Sequence, residues 1–165
     1  MGYSQTIDIT RQGTSEYQII LPQIPDVFEV EAAKVLQHYI QRISGATISL
    51  ADVSSYNGRY GIWVGKAHRF KHGQFSEMDL SPDGYVIRTV DEELIIAGGE
   101  GKGVLYAVYS FLDKSLGCRK FSADMTFVPL NTSISVDEID EIDNPAFSFR
   151  EVYYNEVWDA DYMDW

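Results

Sequence analysis

Cysteine, positive charge and long apolar runs are what this 165-residue sequence has least of. A single cysteine, Cys118, can form no internal disulfide and no cysteine-rich metal site. With Phe121 nearby and a predicted helix just before it, Cys118 reads as a small core hydrophobe rather than a nucleophile. No apolar run approaches the roughly 20 residues that cross a bilayer. The N-terminus MGYSQTID lacks the charged and apolar regions of a signal peptide. Lys and Arg number 13 against 25 Asp and Glu, and the net charge of −12 excludes nucleic acid and anionic membranes as natural partners.

The charge is unevenly spread. Residues 137–165 hold ten acids and one base, Arg150, whereas the other 136 residues hold 15 acids and 12 bases. A nearly neutral body therefore carries an acidic C-terminal stretch. Hydrophobic residues make up 45% of the chain, enough to bury a core at this length.

Two helices are legible. Asp26 after Pro25 can cap the first, with Glu29 placed to complete a capping box. Phe28, Ala32, Val35, Leu36, Tyr39, Ile40 and Ile43 then recur at helical spacing, and Gly45 is the expected stop. The second helix is predicted over Lys102–Leu116, with Val104, Leu105, Val108, Phe111, Leu112 and Leu116 inward and Gly117 after it. Each helix has one wide apolar face and should cover something flat.

Strands supply that surface. Gln5–Thr10 alternates as an edge strand would, Tyr17–Leu21 ends at Pro22, and Thr47–Leu50 and Tyr60–Val64 follow the first helix. Tyr85–Val90 and Leu94–Ala97 flank a polar tip, Asp91-Glu92-Glu93, and read as a hairpin. Arg119–Phe121, Thr126–Val128 and Ser133–Val136 come after the second helix. The expected fold is an α/β (α+β) two-layer sandwich, a mixed, largely antiparallel sheet with two helices on one face. Its body should span 1–136, followed by an acidic connector over 137–144 ending in Asn-Pro. The stretch 145–165 contains seven aromatics in 21 residues and is expected to begin a second, catalytic domain.

Several features could carry chemistry. Ala97-Gly98-Gly99-Glu100-Gly101-Lys102-Gly103 joins a strand to a helix as a phosphate loop does. The Gly-x-x-x-x-Gly-Lys-Ser/Thr pattern, however, wants glycine at Ile96 and a hydroxyl at Gly103. The dinucleotide fingerprint wants glycine at Val104. The reading adopted is a tight turn that needs positive φ. His68 and His72 would share a helical face, half of a metal site, but no third ligand is near. Lys66–His72 is therefore taken as a solvated basic loop that could pair with the acidic connector. Acids are too abundant here for any carboxylate pair to stand out, and neither Glu100 nor Asp113 shows a sign of burial. No catalytic residue, metal or cofactor is expected. In the C-terminal stretch Tyr153, Tyr154, Trp158 and Trp165 could stack on sugar faces, and Arg150 could bind hydroxyls or a carboxylate. The simpler reading of those aromatics is the first strand and helix of a next domain.

Taken in order, these stretches resemble a known domain. Gly103-Val104-Leu105-Tyr106-Ala107-Val108-Tyr109-Ser110-Phe111-Leu112 followed by Leu116-Gly117-Cys118-Arg119-Lys120-Phe121 is similar to its second helix and the strand after it. Glu31–Leu36 with Ile43-Ser44-Gly45-Ala46 is similar to its first helix, and Ile62-Trp63-Val64-Gly65 to the strand that follows. The domain is the one preceding the barrel in α-glucuronidases (glycoside hydrolase family 67) and β-N-acetylhexosaminidases (family 20). Pro145-Ala146-Phe147-Ser148-Phe149-Arg150-Glu151 resembles the start of the first barrel strand, and Trp158-Asp159-Ala160 partly matches the Trp-Asp-Asn of α-glucuronidases. Lys120 stands where those families usually have Trp.

The resemblance covers most of residues 17–155 and implies a hexosaminidase-domain-2-like fold. It implies that this chain is a non-catalytic accessory domain whose partner is the catalytic barrel of its own parent, a glycoside hydrolase acting on poly- or oligosaccharide. The parent would be secreted, periplasmic or at a cell surface. Arg150, Tyr154 and Trp158 would contact substrate in the complete enzyme. The alternative is a free-standing carbohydrate-binding module using the aromatic C-terminal segment.

Overall fold

The computed structural model describes residues 6–57, 60–72, 80–145 and 165. In chain order these form β1 (Ile7–Asp8), β2 (Tyr17–Leu21), α1 (Val27–Ser44), β3 (Ser49–Asp52) and β4 (Tyr60–Val64). A 3-10 turn (Gly65–His68) and α2 (Arg69–His72) come next, then β5 (Tyr85–Val90), β6 (Glu93–Gly98) and α3 (Gly103–Lys114). The rest comprises β7 (Arg119–Ser122), β8 (Met125–Phe127), β9 (Ser135–Val136) and β10 (Asp140–Asp143). One six-stranded sheet runs in the order β10-β5-β6-β4-β2-β3, and β1–β9 and β7–β8 form two small sheets. The β10–β5–β6 half is antiparallel and the β6–β4–β2–β3 half parallel. With both small sheets antiparallel, four of the seven ladders among the described residues are antiparallel.

Local chemistry explains the helices. Asp26 Oδ1 accepts from Glu29 N and Glu29 Oε2 accepts from Asp26 N, each at 2.9 Å, which is the expected capping box. Gly45 closes α1 at φ 79°, and Gly117 turns the chain after α3 at φ 73°. Glu29 does more than cap. It is buried, and its Oε1 accepts from Lys66 N at 2.8 Å, so the start of α1 is clamped to the turn after β4. Gly65, at φ 62°, lies against that carboxylate, where any Cβ would collide with it.

Strand alternation sorts the sheet into two buried faces. Ile19, Ile62, Val64, Ile87, Leu94 and Ile96 pack with α1 and α3 in the main core, which also holds Leu36, Ile40, Leu105, Val108, Phe111 and Leu112. Ile20, Trp63, Val86, Ile95 and Ala97 point the other way and form a smaller core with Ala67. Burial on both faces is why β4 and β6 read as continuous apolar runs.

Three expectations are corrected. The acidic segment 137–144, expected as a connector, supplies edge strand β10, paired antiparallel to β5 from Asp140↔Arg88 to Asp143↔Tyr85. Glu93, expected at an exposed hairpin tip, begins β6 and is buried; the turn proper is Asp91-Glu92, with Asp91 at φ 53°. Among the described side chains of the basic stretch 66–72, the ion-pair partners lie outside the acidic segment: Lys66 Nζ lies 3.8 Å from Asp26, and Lys71 and His72 meet Glu93. Of the C-terminal stretch only Pro145 and Trp165 fall among the described residues.

Candidate functional site

The glycine turn before α3 has no room for a phosphate. Gly99 N donates to Gly84 O at 2.8 Å, Gly101 N to Pro82 O at 2.8 Å, Gly103 N to Pro82 O at 3.3 Å and Lys102 N to Asp83 Oδ1 at 3.3 Å. The N–H groups a phosphate would need are taken by the Ser81–Gly84 segment, which plugs the helix start. The sequence argument was right to reject a nucleotide loop, but its stated reason needs correcting. Positive φ occurs at Gly13, Gly45, Gly65 and Gly117 and at none of Gly98, Gly99, Gly101 or Gly103. These four are glycines because of close approach: a Cβ at Gly99 or Gly103 would strike the Ser81 or Gly84 carbonyl, and one at Gly98 the Val104 backbone.

The densest polar cluster lies on the second sheet face. Glu93 Oε1 accepts from Gly61 N at 3.1 Å and from the Tyr56 hydroxyl at 3.3 Å. Its Oε2 lies 2.8 Å from His72 Nε2 and 3.0 Å from Lys71 Nζ. Trp63 packs edge-on against Tyr56 and His72, at centroid distances of 5.1 and 5.6 Å. Burial, reinforced by Glu93, pushes the Tyr56 hydroxyl up to about 12. A buried carboxylate with two hydrogen-bond donors, and with the Lys71 and His72 nitrogens close to its other oxygen, is a structural clasp: it ties the β3–β4 connection, β4 and α2 to β6. Of the histidine pair, His72 faces Glu93, and the His68 side chain lies outside the described residues. Among the described residues no group of three or more His, Cys, Asp or Glu could hold a metal ion. Cys118 is fully buried, and burial raises its thiol to about 11, the state of a core residue.

A cleft of about 430 Å³ opens on the helical side, lined by Tyr85, Tyr106, Tyr109, Ser110, Asp113, Lys114, Arg119, Lys120 and Trp165. At its floor the Tyr85 hydroxyl lies 2.9 Å from both Ser110 Oγ and Glu141 Oε1, and Lys114 Nζ reaches the same carboxylate oxygen at 2.6 Å. Burial acts to raise the Glu141 carboxyl, but hydrogen bonds from Lys114, Tyr85 and Ser110 outweigh it and hold Glu141 below the usual range. Lys114 is raised in turn by its bond to Glu141. Trp165 packs on Tyr109 and Tyr39 at centroid distances of 4.9 and 5.3 Å. Arg119 Nε pairs with Asp113 Oδ1 at 2.9 Å. Of the aromatics singled out in the C-terminal stretch, only Trp165 can be placed; Arg150, Tyr153, Tyr154 and Trp158 lie outside the described residues.

Beside this cleft the β7–β8 hairpin carries an apolar face that the sequence reading overlooked. Arg119 pairs with Phe127 and Ser122 with Met125, with a bulge between Lys120 and Ser122. Alternation therefore places Phe121, Met125 and Phe127 on one face with Arg119. The three apolar side chains are 60%, 58% and 54% exposed, and Leu130 beyond them is 87% exposed.

Two helices over a mixed sheet define a two-layer α/β domain. The family described as "Glycosyl hydrolase family 67 N-terminus" matches residues 10–111, and the chain belongs to it. Among solved structures, the GH20 exo-β-N-acetylglucosaminidase from Vibrio harveyi in complex with N-acetylglucosamine is similar at a TM-score of 0.52 and 17% identity, over 90% of this chain. An inactive mutant of the same enzyme is similar at a TM-score of 0.51 and 17% identity, again over 90% of this chain. At that identity the likeness is one of fold. The chain spans 18% of the length of either solved chain. No curated protein sequence matches it.

Proposed function

We propose that this chain is a non-catalytic domain of a glycoside hydrolase, one that packs against the catalytic barrel of its own parent and supports it. The observation that carries this reading is membership of an N-terminal family by a chain that spans 18% of the solved enzymes whose fold it shares. The interior agrees with it. Among the described residues, the glycine turn, Glu93 and Cys118 are each taken up by contacts within the domain. The substrate is a poly- or oligosaccharide reached through the parent; Arg150 is proposed as a contact on the strength of the resemblance, and Tyr154 and Trp158 as aromatic rings that stack on sugar faces. Deleting the domain from the complete protein should lower the temperature at which glycosidase activity is lost, while the isolated chain turns over no aryl glycoside. Turnover by the isolated chain, abolished by one carboxylate substitution within it, would sink the reading.

One observation favours the alternative of a free-standing carbohydrate-binding module: Trp165 and Tyr106 line a cleft that also holds Lys114, Arg119 and Lys120. Saturable oligosaccharide binding by the isolated chain, lost in Tyr106→Ala or Trp165→Ala, would favour that module.

A further inference from the structure

We infer that the exposed face of the β7–β8 hairpin (Phe121, Met125 and Phe127) is the surface on which the catalytic domain of the same protein docks. The inference rests on the accessory-domain reading and gives it a location. Surface strands normally keep apolar side chains singly scattered, because each large one left in water forgoes the gain of burial. Here three sit on one face of a two-stranded hairpin, all more than half exposed, whereas the six-stranded sheet buries apolar side chains on both of its faces. A short strand pair with an unburied face is stable only with support, and this hairpin's own connections supply some of it. Cys118 N donates to Leu112 O at 2.9 Å before β7, and Asn131 N donates to Ile43 O at 2.9 Å after β8. The hairpin is thus held at its base and presents its apolar face outward.

Position and charge specify the occupant. Trp165 lines the same cleft as Arg119 and Lys120, so any chain continuing past Trp165 leaves the domain beside this hairpin and need not cross the molecule to cover it. The chain spans 18% of the solved enzymes it resembles in fold, which leaves a large partner to be accommodated. Arg119 lies on the hairpin's apolar face, largely exposed, with its Nε on Asp113. The matching surface is therefore an apolar strip with a carboxylate or carbonyl acceptor at its rim, a common composition for interfaces between domains.

The test uses the complete protein alongside the isolated 165-residue chain. Hydroxyl-radical footprinting should oxidise Met125 about tenfold more slowly in the complete protein than in the isolated chain, because oxidation follows exposure. The triple variant Phe121→Ser, Met125→Ser, Phe127→Ser should leave the melting temperature of the isolated chain unchanged. In the complete protein it should lower the temperature of activity loss as far as deletion of the whole domain does. Equal oxidation of Met125 in both proteins would overturn the assignment. So would protection that appears in the isolated chain as its concentration rises, which would make the occupant a second copy. If domain deletion lowers the inactivation temperature and the triple variant does not, the docking face lies elsewhere and the accessory reading stands. If neither lowers it, both fall.

Discussion

The two faces of the six-stranded sheet are both dry, but they are held by different forces. On the helical face α1 and α3 cover Ile19, Ile62, Val64, Leu94 and Ile96, and cohesion there is apolar area with close packing. On the other face a handful of residues around Trp63 is covered by the β3–β4 connection and the segment after β4, and Glu93 ties these together through Tyr56, Gly61, Lys71 and His72. A broad amphipathic helix buries enough surface to hold itself in place. A turn and one short helix cannot, and a buried carboxylate facing both of them supplies the missing specificity. The comparison shows how one sheet can carry a self-sufficient layer and a clasped one.

Substitutions can break this comparison, beginning with the helical face. Phe111→Ala, at a fully buried site of α3, should lose about 3–5 kcal/mol of global stability, read as a shifted midpoint of one cooperative urea transition. A loss below about 1 kcal/mol would mean that the helical layer is not the principal core. Glu93→Gln keeps shape but removes the charge that Lys71 and His72 face, and it should cost about 2 kcal/mol. Its signature is spatial: faster amide exchange at 65–72 with α1 and α3 unchanged. Uniform acceleration throughout the domain would show that the two faces are not separable.

The smallest effect sharpens the edge between sheet and helices. Glu141 is held below the ordinary carboxylate range, so its contribution is present above that range and is lost as pH falls through its lowered folded value. Lys114→Met should therefore lower stability near neutral pH by less than about 1 kcal/mol, the discount reflecting the half-exposed lysine, and the difference should vanish in acid. A difference that persists to low pH would point to lost packing by the lysine stem instead. Urea midpoints measured against pH for both proteins decide it.

Much of the frame was legible because its causes are local. The capping box needs only Asp26 and Glu29, three residues apart, and it forms as read. Strands β2, β4 and β5 have the predicted bounds, and both helices end near their glycines. Glu93 was misplaced because three consecutive acids look like a solvated tip. The signal that could have found it is alternation: with Leu94 and Ile96 inward to the helices, Glu93 shares the face of Ile95 and Ala97. Segment 137–144 was misread for a similar reason, since its acids hid a strand whose partners, Arg88 and Lys114, lie far off in sequence. The hairpin face was missed because the reading considered the strands Arg119–Phe121 and Thr126–Val128 one at a time, and only their register puts Phe121, Met125 and Phe127 side by side.

The sequence by itself determined the two helices, the principal strands, the burial of Cys118 and the family, since periodicity, caps and motif order are properties of neighbouring residues. Tertiary structure alone decided which face Glu93 serves, that an acidic segment closes the sheet, and that the glycines before α3 make way for a returning backbone. Each of these depends on a partner brought close by folding from tens of residues away, and no local pattern records that partner.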